Sequence, residues 1–206
     1  MEKYSEDGKI LIKGPSDVIT YTVREGVEDI ACEAFAHNVN IEEVIIPESV
    51  FNIGSQAFKG CISLRKIILP DSLSGIEEEA FMGCKSLQEI HFGKEFIELG
   101  NKAFEDCTSL REILFSKENA NMTVEWNLGN RIISQNIEGV TYIPEYCFFN
   151  CINLIKISLP KTLKKIGNLA FAGCINLESV IMPQNVLIHK QAFRDCPKVK
   201  INARKL

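Results

Sequence analysis

The sequence lacks most features that mark a common function. Its 206 residues hold no apolar run near the ~18 residues of a membrane-spanning helix. Basic residues are not in excess: 23 Lys and Arg stand against 27 Asp and Glu, a net charge of −4. That balance argues against a nucleic-acid partner, which usually meets a basic face. Met1-Glu2-Lys3-Tyr4-Ser5-Glu6-Asp7 shows no basic stretch followed by an apolar core, so no secretion signal is read there. Glycines such as Gly60, Gly83 and Gly173 sit singly, so no phosphate-cradling loop is formed. No glycine-flanked nucleophilic serine appears. The acidic runs Glu42-Glu43 and Glu77-Glu78-Glu79 read as solvated faces. With no C-x2-C pair and three scattered histidines (His37, His91 and His189), neither a metal site nor a cofactor is expected. No catalytic residue is expected, and an enzyme is the remote reading.

What the sequence does have is 46% apolar residues and eight cysteines, and both are explained by an internal repeat. Ala-Phe pairs fall at Ala34-Phe35, Ala57-Phe58, Ala80-Phe81, Ala103-Phe104, Ala170-Phe171 and Ala192-Phe193, with Cys147-Phe148 as a variant. Cysteine follows three residues later at Cys61, Cys84, Cys107, Cys151, Cys174 and Cys196, and Asn38 takes its place in the first coil. Three residues on come Ile41, Leu64, Leu87, Leu110, Leu154, Leu177 and Val199. So many columns at one period define a stack of coils, none of which buries its apolar face alone.

Each coil mixes two periods. Ile53, Ala57 and Phe58 suit one stripe of a helical turn. Ile67 and Leu69 then share one face and Ile68 the other, as in a short strand. Pro70, which cannot donate to a ladder, ends it. The expected fold is therefore an α/β repeat solenoid: short parallel strands on one side, short helical or 3₁₀ turns on the other. Residues 1–29 read as a cap, with a hairpin about Asp7-Gly8 and a half-coil; residues 30–206 read as the solenoid, all one domain. Between Phe104 and Phe148 the step is nearly two periods, and residues 117–142 are expected to be a degenerate coil with a bulging loop.

The pattern I-x3-A-F-x2-C-x2-L-x2-I-x-L-P, carried by Ile53, Ala57, Phe58, Cys61, Leu64, Ile67, Leu69 and Pro70, resembles the BspA-type (Treponema pallidum-type) leucine-rich repeat. The resemblance spans roughly residues 16–206. It implies a right-handed leucine-rich-repeat stack with its parallel sheet on the concave face. It also implies a place at the cell surface or outside the cell, and adhesion to another protein, such as a host extracellular or cell-surface protein. The opening residues, which show no secretion signal, leave the cytoplasm as the alternative.

One cysteine per coil reads as a small buried side chain with weak hydrogen-bonding ability. Cys32 alone lies outside the columns and is expected to be exposed. Function then belongs to positions that vary between coils. The outward strand positions form three columns. Arg65 and Arg111 lie in the first, Lys66, Glu89 and Glu112 in the second, and Ile45, Ile68, His91, Leu114 and Ile181 in the third. The third is largely apolar on a face expected to meet solvent, which points to a contact surface; β-branched strand preference is the plainer account. Trp126 in the irregular segment is a further candidate, since tryptophan is enriched at binding hot spots. Asn121-Met122-Thr123 is a glycosylation sequon. The expected function is non-enzymatic protein binding through the concave face, without membrane insertion. The rival is a passive spacer or assembly element of a larger surface protein.

Overall fold

The computed structural model describes residues 1–94, 96, 98–115, 122–128, 131–137 and 139–204; for 122–128, 131–137 and 202–204 the backbone alone is described. The chain winds as a parallel β-solenoid. One side carries the strands Thr20–Thr22, Glu43–Ile45, Lys66–Ile68, Glu89–Phe92, Glu112–Phe115, Lys156–Ser158, Ser179–Pro183 and Lys200–Arg204. These form three successive parallel ladders, broken after Lys66–Ile68 and after Glu112–Phe115. Their inward positions are buried: Val44, Ile67, Ile90, Ile113, Ile157 and Val180, with Phe92 and Met182 two residues on in the longer strands.

The opposite side departs from the sequence expectation. No helix occurs among the described residues. Ile53, read as the start of a helical stripe, lies in a two-residue strand, Asn52–Ile53, of a second parallel sheet. Asp29–Ile30, Gly75–Ile76 and Glu98–Leu99 continue it, and Tyr142–Ile143, Lys165–Ile166 and Leu187–Ile188 form its counterpart further along. The Ala-Phe segment after each strand is a train of tight turns. Ala57 N–H bonds the Gly54 carbonyl at 3.1 Å, Lys59 that of Gln56 at 3.0 Å and Cys61 that of Phe58 at 3.1 Å. The amides between them reach the next coil: Gln56 to Glu78, Phe58 to Ala80 and Gly60 to Met82, at 3.0, 2.7 and 2.8 Å. An α-helix would send every amide four residues back along its own chain. Here every second amide belongs to a neighbour. The left-handed backbone at Gln56 (φ 58°) and Gly60 (φ 70°) re-aims the chain each time. The apolar spacing of four and five residues is shared by both arrangements, and so did not separate them.

Stacking turns the columns into continuous spines. Phe35, Phe58, Phe81 and Phe104 lie ring on ring, with centroids 4.8, 5.1 and 5.2 Å apart. Phe148, Phe171 and Phe193 continue the row at 5.2 Å spacings. Beside it, each thiol donates to the phenylalanine carbonyl of the preceding coil: Cys61 to Phe35, Cys84 to Phe58, Cys107 to Phe81, Cys151 to Phe104, Cys174 to Phe148 and Cys196 to Phe171, at 3.0 to 3.3 Å. Asn38 does the same work in the first coil. Its amide donates to Pro15 O, and its Oδ1 accepts the backbone N–H groups of Asn40 and Ile41. All eight cysteines are unpaired thiols; seven are buried and Cys32 is exposed.

At the N-terminal end, Lys3–Tyr4 pairs antiparallel with Ile10–Lys13, which joins the second sheet beside Asp29–Ile30. Asp7 and Gly8 turn this hairpin: Gly8 adopts φ 72°, and the Asp7 carboxylate accepts from Ser5 Oγ and Lys9 N. The degenerate coil expected at 117–142 falls partly outside the described residues; at its end Tyr142 already belongs to a strand of the second sheet's counterpart. The rungs on either side stack directly, with Phe104 and Phe148 at 5.5 Å and Phe104 N–H bonded to the Cys147 carbonyl at 2.8 Å. Within the intervening segment, Met122–Leu128 and Arg131–Ile137 pair antiparallel as a hairpin. In a two-stranded ladder the groups facing the partner strand are paired and those on the outer edges are not.

Candidate functional site

The side built from the three successive ladders decides which varying residues share a surface. Its register pairs Ile45 with Ile68, His91 with Leu114 and Ser158 with Ile181. These side chains alternate along each strand with the buried inward residues, so they line the outer side of the sheet. Ile68 is 40% and Leu114 41% exposed, whereas Ile45 and Ile181 are half-buried. The apolar column is thus partly open, and Thr22, His91 and Ser158 interrupt it.

The flanking columns carry paired charge at one end and like charge in the middle. Arg65 lies 3.6 Å from Glu42, and Lys66 lies 2.9 Å from Glu43, on the strand beside it. Exposed cross-strand pairs of this kind contribute a few tenths of a kcal/mol. Further along, Glu112 stands opposite Glu89. His91 Nε2 lies 3.7 Å from Glu89 Oε2, and Arg111 is exposed beside Glu112. One ligand atom from each of Glu89, His91 and Glu112 falls within 4.8 Å of the others. This grouping was not expected from the sequence, where the histidines seemed isolated. Its signal is a Glu-x-His pair together with a glutamate one 23-residue period after the first.

Trp126 occupies the hairpin strand opposite Ile133, and its side chain lies outside the described residues. The sequon residue Asn121 also lies outside them. The thiols do not behave alike: the hydrogen bond with the Cys174 thiol pulls the Cys196 thiol down, at the end of the column. Burial pushes the Cys84, Cys107, Cys147 and Cys151 thiols up, away from the ionised form that attacks or ligates. No helix among the described residues is long and apolar enough to cross a membrane.

Comparison with known proteins places this arrangement. The chain is similar in structure to the pneumococcal vaccine antigen PcpA, with a TM-score of 0.70 and 19% identity over 98% of this chain. It spans 46% of that protein's length. It is also similar to the Treponema pallidum leucine-rich repeat protein TpLRR, with a TM-score of 0.60 and 26% identity, over 99% of this chain and 96% of the other. A comparison with curated proteins finds no match. The BspA type leucine-rich repeat region matches in six copies over residues 28–128 and 127–202. The repeating Ala-Phe turns, the cysteine column and the parallel ladders are the physical content of that match, and the chain belongs to the BspA-type leucine-rich repeat family.

Proposed function

We propose that the chain is a protein-binding module that docks its partner on the outer face of the three successive ladders, the side that carries Ile68 and Leu114. Leucine-rich repeat proteins are typically protein-interaction modules and generally non-enzymatic, which supports the class of function. The observation that carries the surface is the pairing of exposed Ile68 and Leu114 with charged columns on the same rigid face. Ile45, Ile68, Leu114 and Ile181 supply apolar contact. Arg65, Lys66, Glu89, Arg111 and Glu112 set which surface complements it, since charge at an interface chiefly selects partners. The concave use of this face, a place at the cell surface and a host protein as partner belong to the same proposal and draw on the family resemblance. Trp126 is kept as a secondary contact on the hairpin.

The test is capture of partner proteins by the immobilised chain, with Ile68→Asp and Leu114→Asp as variants. Both side chains are exposed, so the thermal melt is expected to stay near that of the parent while capture is lost. Variants that fold and retain the same captured proteins would sink the sheet-face reading and favour a passive spacer.

A further inference from the structure

We propose that Glu89, His91 and Glu112 form a surface site for one divalent cation of the Zn2+ class. Glu89 and His91 flank buried Ile90 on one strand, so both side chains leave the sheet on the same side. Glu112 is the register partner of Glu89 on the adjacent parallel strand. All three are exposed, and their ligand atoms lie within 4.8 Å of one another, with His91 Nε2 3.7 Å from Glu89 Oε2. The backbone beneath is fixed by four consecutive paired positions, from Glu112 opposite Glu89 to Phe115 opposite Phe92. The two strands are also held together at their far ends, where the rings of Phe92 and Phe115 stack with centroids 4.8 Å apart.

The charge pattern points to a cation independently of the distances. Like charges directly opposite on neighbouring strands destabilise a sheet. On the two preceding strands the same column is neutralised, Glu43 by Lys66 at 2.9 Å. At Glu89 and Glu112 a glutamate faces a glutamate. A bound cation removes that repulsion. The imidazole decides which cation: Ca2+ and Mg2+ prefer oxygen ligands alone, whereas a mixed nitrogen and carboxylate set suits Zn2+. Zn2+ takes its donors at about 2.0–2.2 Å, which rotation of the two glutamate side chains supplies. Three protein ligands leave a fourth position for water or for a donor from a docked protein. The site does not depend on the docking reading, because it needs no partner to fill.

The test is calorimetric titration of Zn2+ into the full chain bearing Cys32→Ser, which removes the exposed thiol as a competing ligand. One equivalent is expected to bind, with the His91 imidazole nitrogen shifting in NMR spectra and no competition from Ca2+. Loss of an outer-shell partner already weakens metal sites ~10–100-fold, so His91→Ala and Glu112→Ala are each expected to weaken binding at least ~10-fold. Unchanged thermal melts would confirm that the variants fold. No stoichiometric binding, or binding that neither replacement alters, overturns the proposal.

Discussion

Phe104 and Phe148 are 44 residues apart in the chain, yet they stack as nearest neighbours in the phenylalanine spine, with centroids 5.5 Å apart and planes 8° from parallel. Every other step between neighbouring spine phenylalanines is 22 or 23 residues. The chain therefore leaves the solenoid after one rung and re-enters on the next.

Removing that excursion is expected to leave the solenoid intact. The step exceeds one period by 21 residues (44 less 23), so deleting 118–138 restores the common period. Because closure entropy varies only slowly with loop length, a stability change within ~1 kcal/mol is expected. Chemical denaturation and size-exclusion chromatography check this. A deletion that aggregates or unfolds would show that the hairpin is needed by the stack.

The spine itself is expected to be costly to interrupt. Phe81 is fully buried between Phe58 and Phe104. Phe81→Ala should destabilise by about 3–5 kcal/mol through lost burial and a cavity. Phe193, at the end of the row and half-buried, should cost less when truncated. Urea unfolding of the two variants makes the comparison.

The thiols give a pH dependence of definite sign. Burial raises the Cys107, Cys147 and Cys151 thiols above their ordinary value of 9.0. Below that value they are protonated in both folded and unfolded chains, and their contribution to stability is fully present. Above it the unfolded chain ionises and the folded chain resists, so stability falls as pH rises. Urea midpoints at neutral and alkaline pH should show this fall, and it should be shallower in Cys107→Ala and Cys151→Ala. At neutral pH a thiol reagent should modify Cys32 first, and all eight thiols only after unfolding.

Glu79 is expected to report acid sensitivity. Its carboxylate accepts from Lys59 at 2.7 Å, Gln56 Nε2 at 3.0 Å and Lys102 at 3.5 Å. The Lys59 bond holds its carboxyl below the ordinary carboxylate range. The resulting stability is present above the ordinary range and is lost as pH falls through the lowered value. Glu79→Gln should lower stability by about 1 kcal/mol near neutral pH and flatten the acid limb of the unfolding curve.

Much of this was legible because a repeat carries its own register. Once Ala57-Phe58 and Ala80-Phe81 align, the columns of Ile45, Ile68 and Leu114 follow, and so does the burial of the cysteines. The turns were not legible, because apolar spacing of four and five residues fits a helical turn as well as a strand followed by tight turns. The Glu89–His91–Glu112 group was missed for a different reason: the columns set Glu89 beside Glu112 and His91 in the next column, but column membership does not say that side-chain atoms converge.

The sequence alone determined that the chain is a stack of coils, which residues are interior, and which columns vary. A period of 23 residues with invariant apolar positions has one economical solution, since each coil buries its face only against the next. Tertiary structure decided what the backbone does between those positions. Alternate amides of each turn are satisfied by the neighbouring coil, a choice that no single coil's residues encode. It also decided that Phe104 meets Phe148, because the Phe104 N–H bonds the Cys147 carbonyl across the two rungs and so sets the rings face to face.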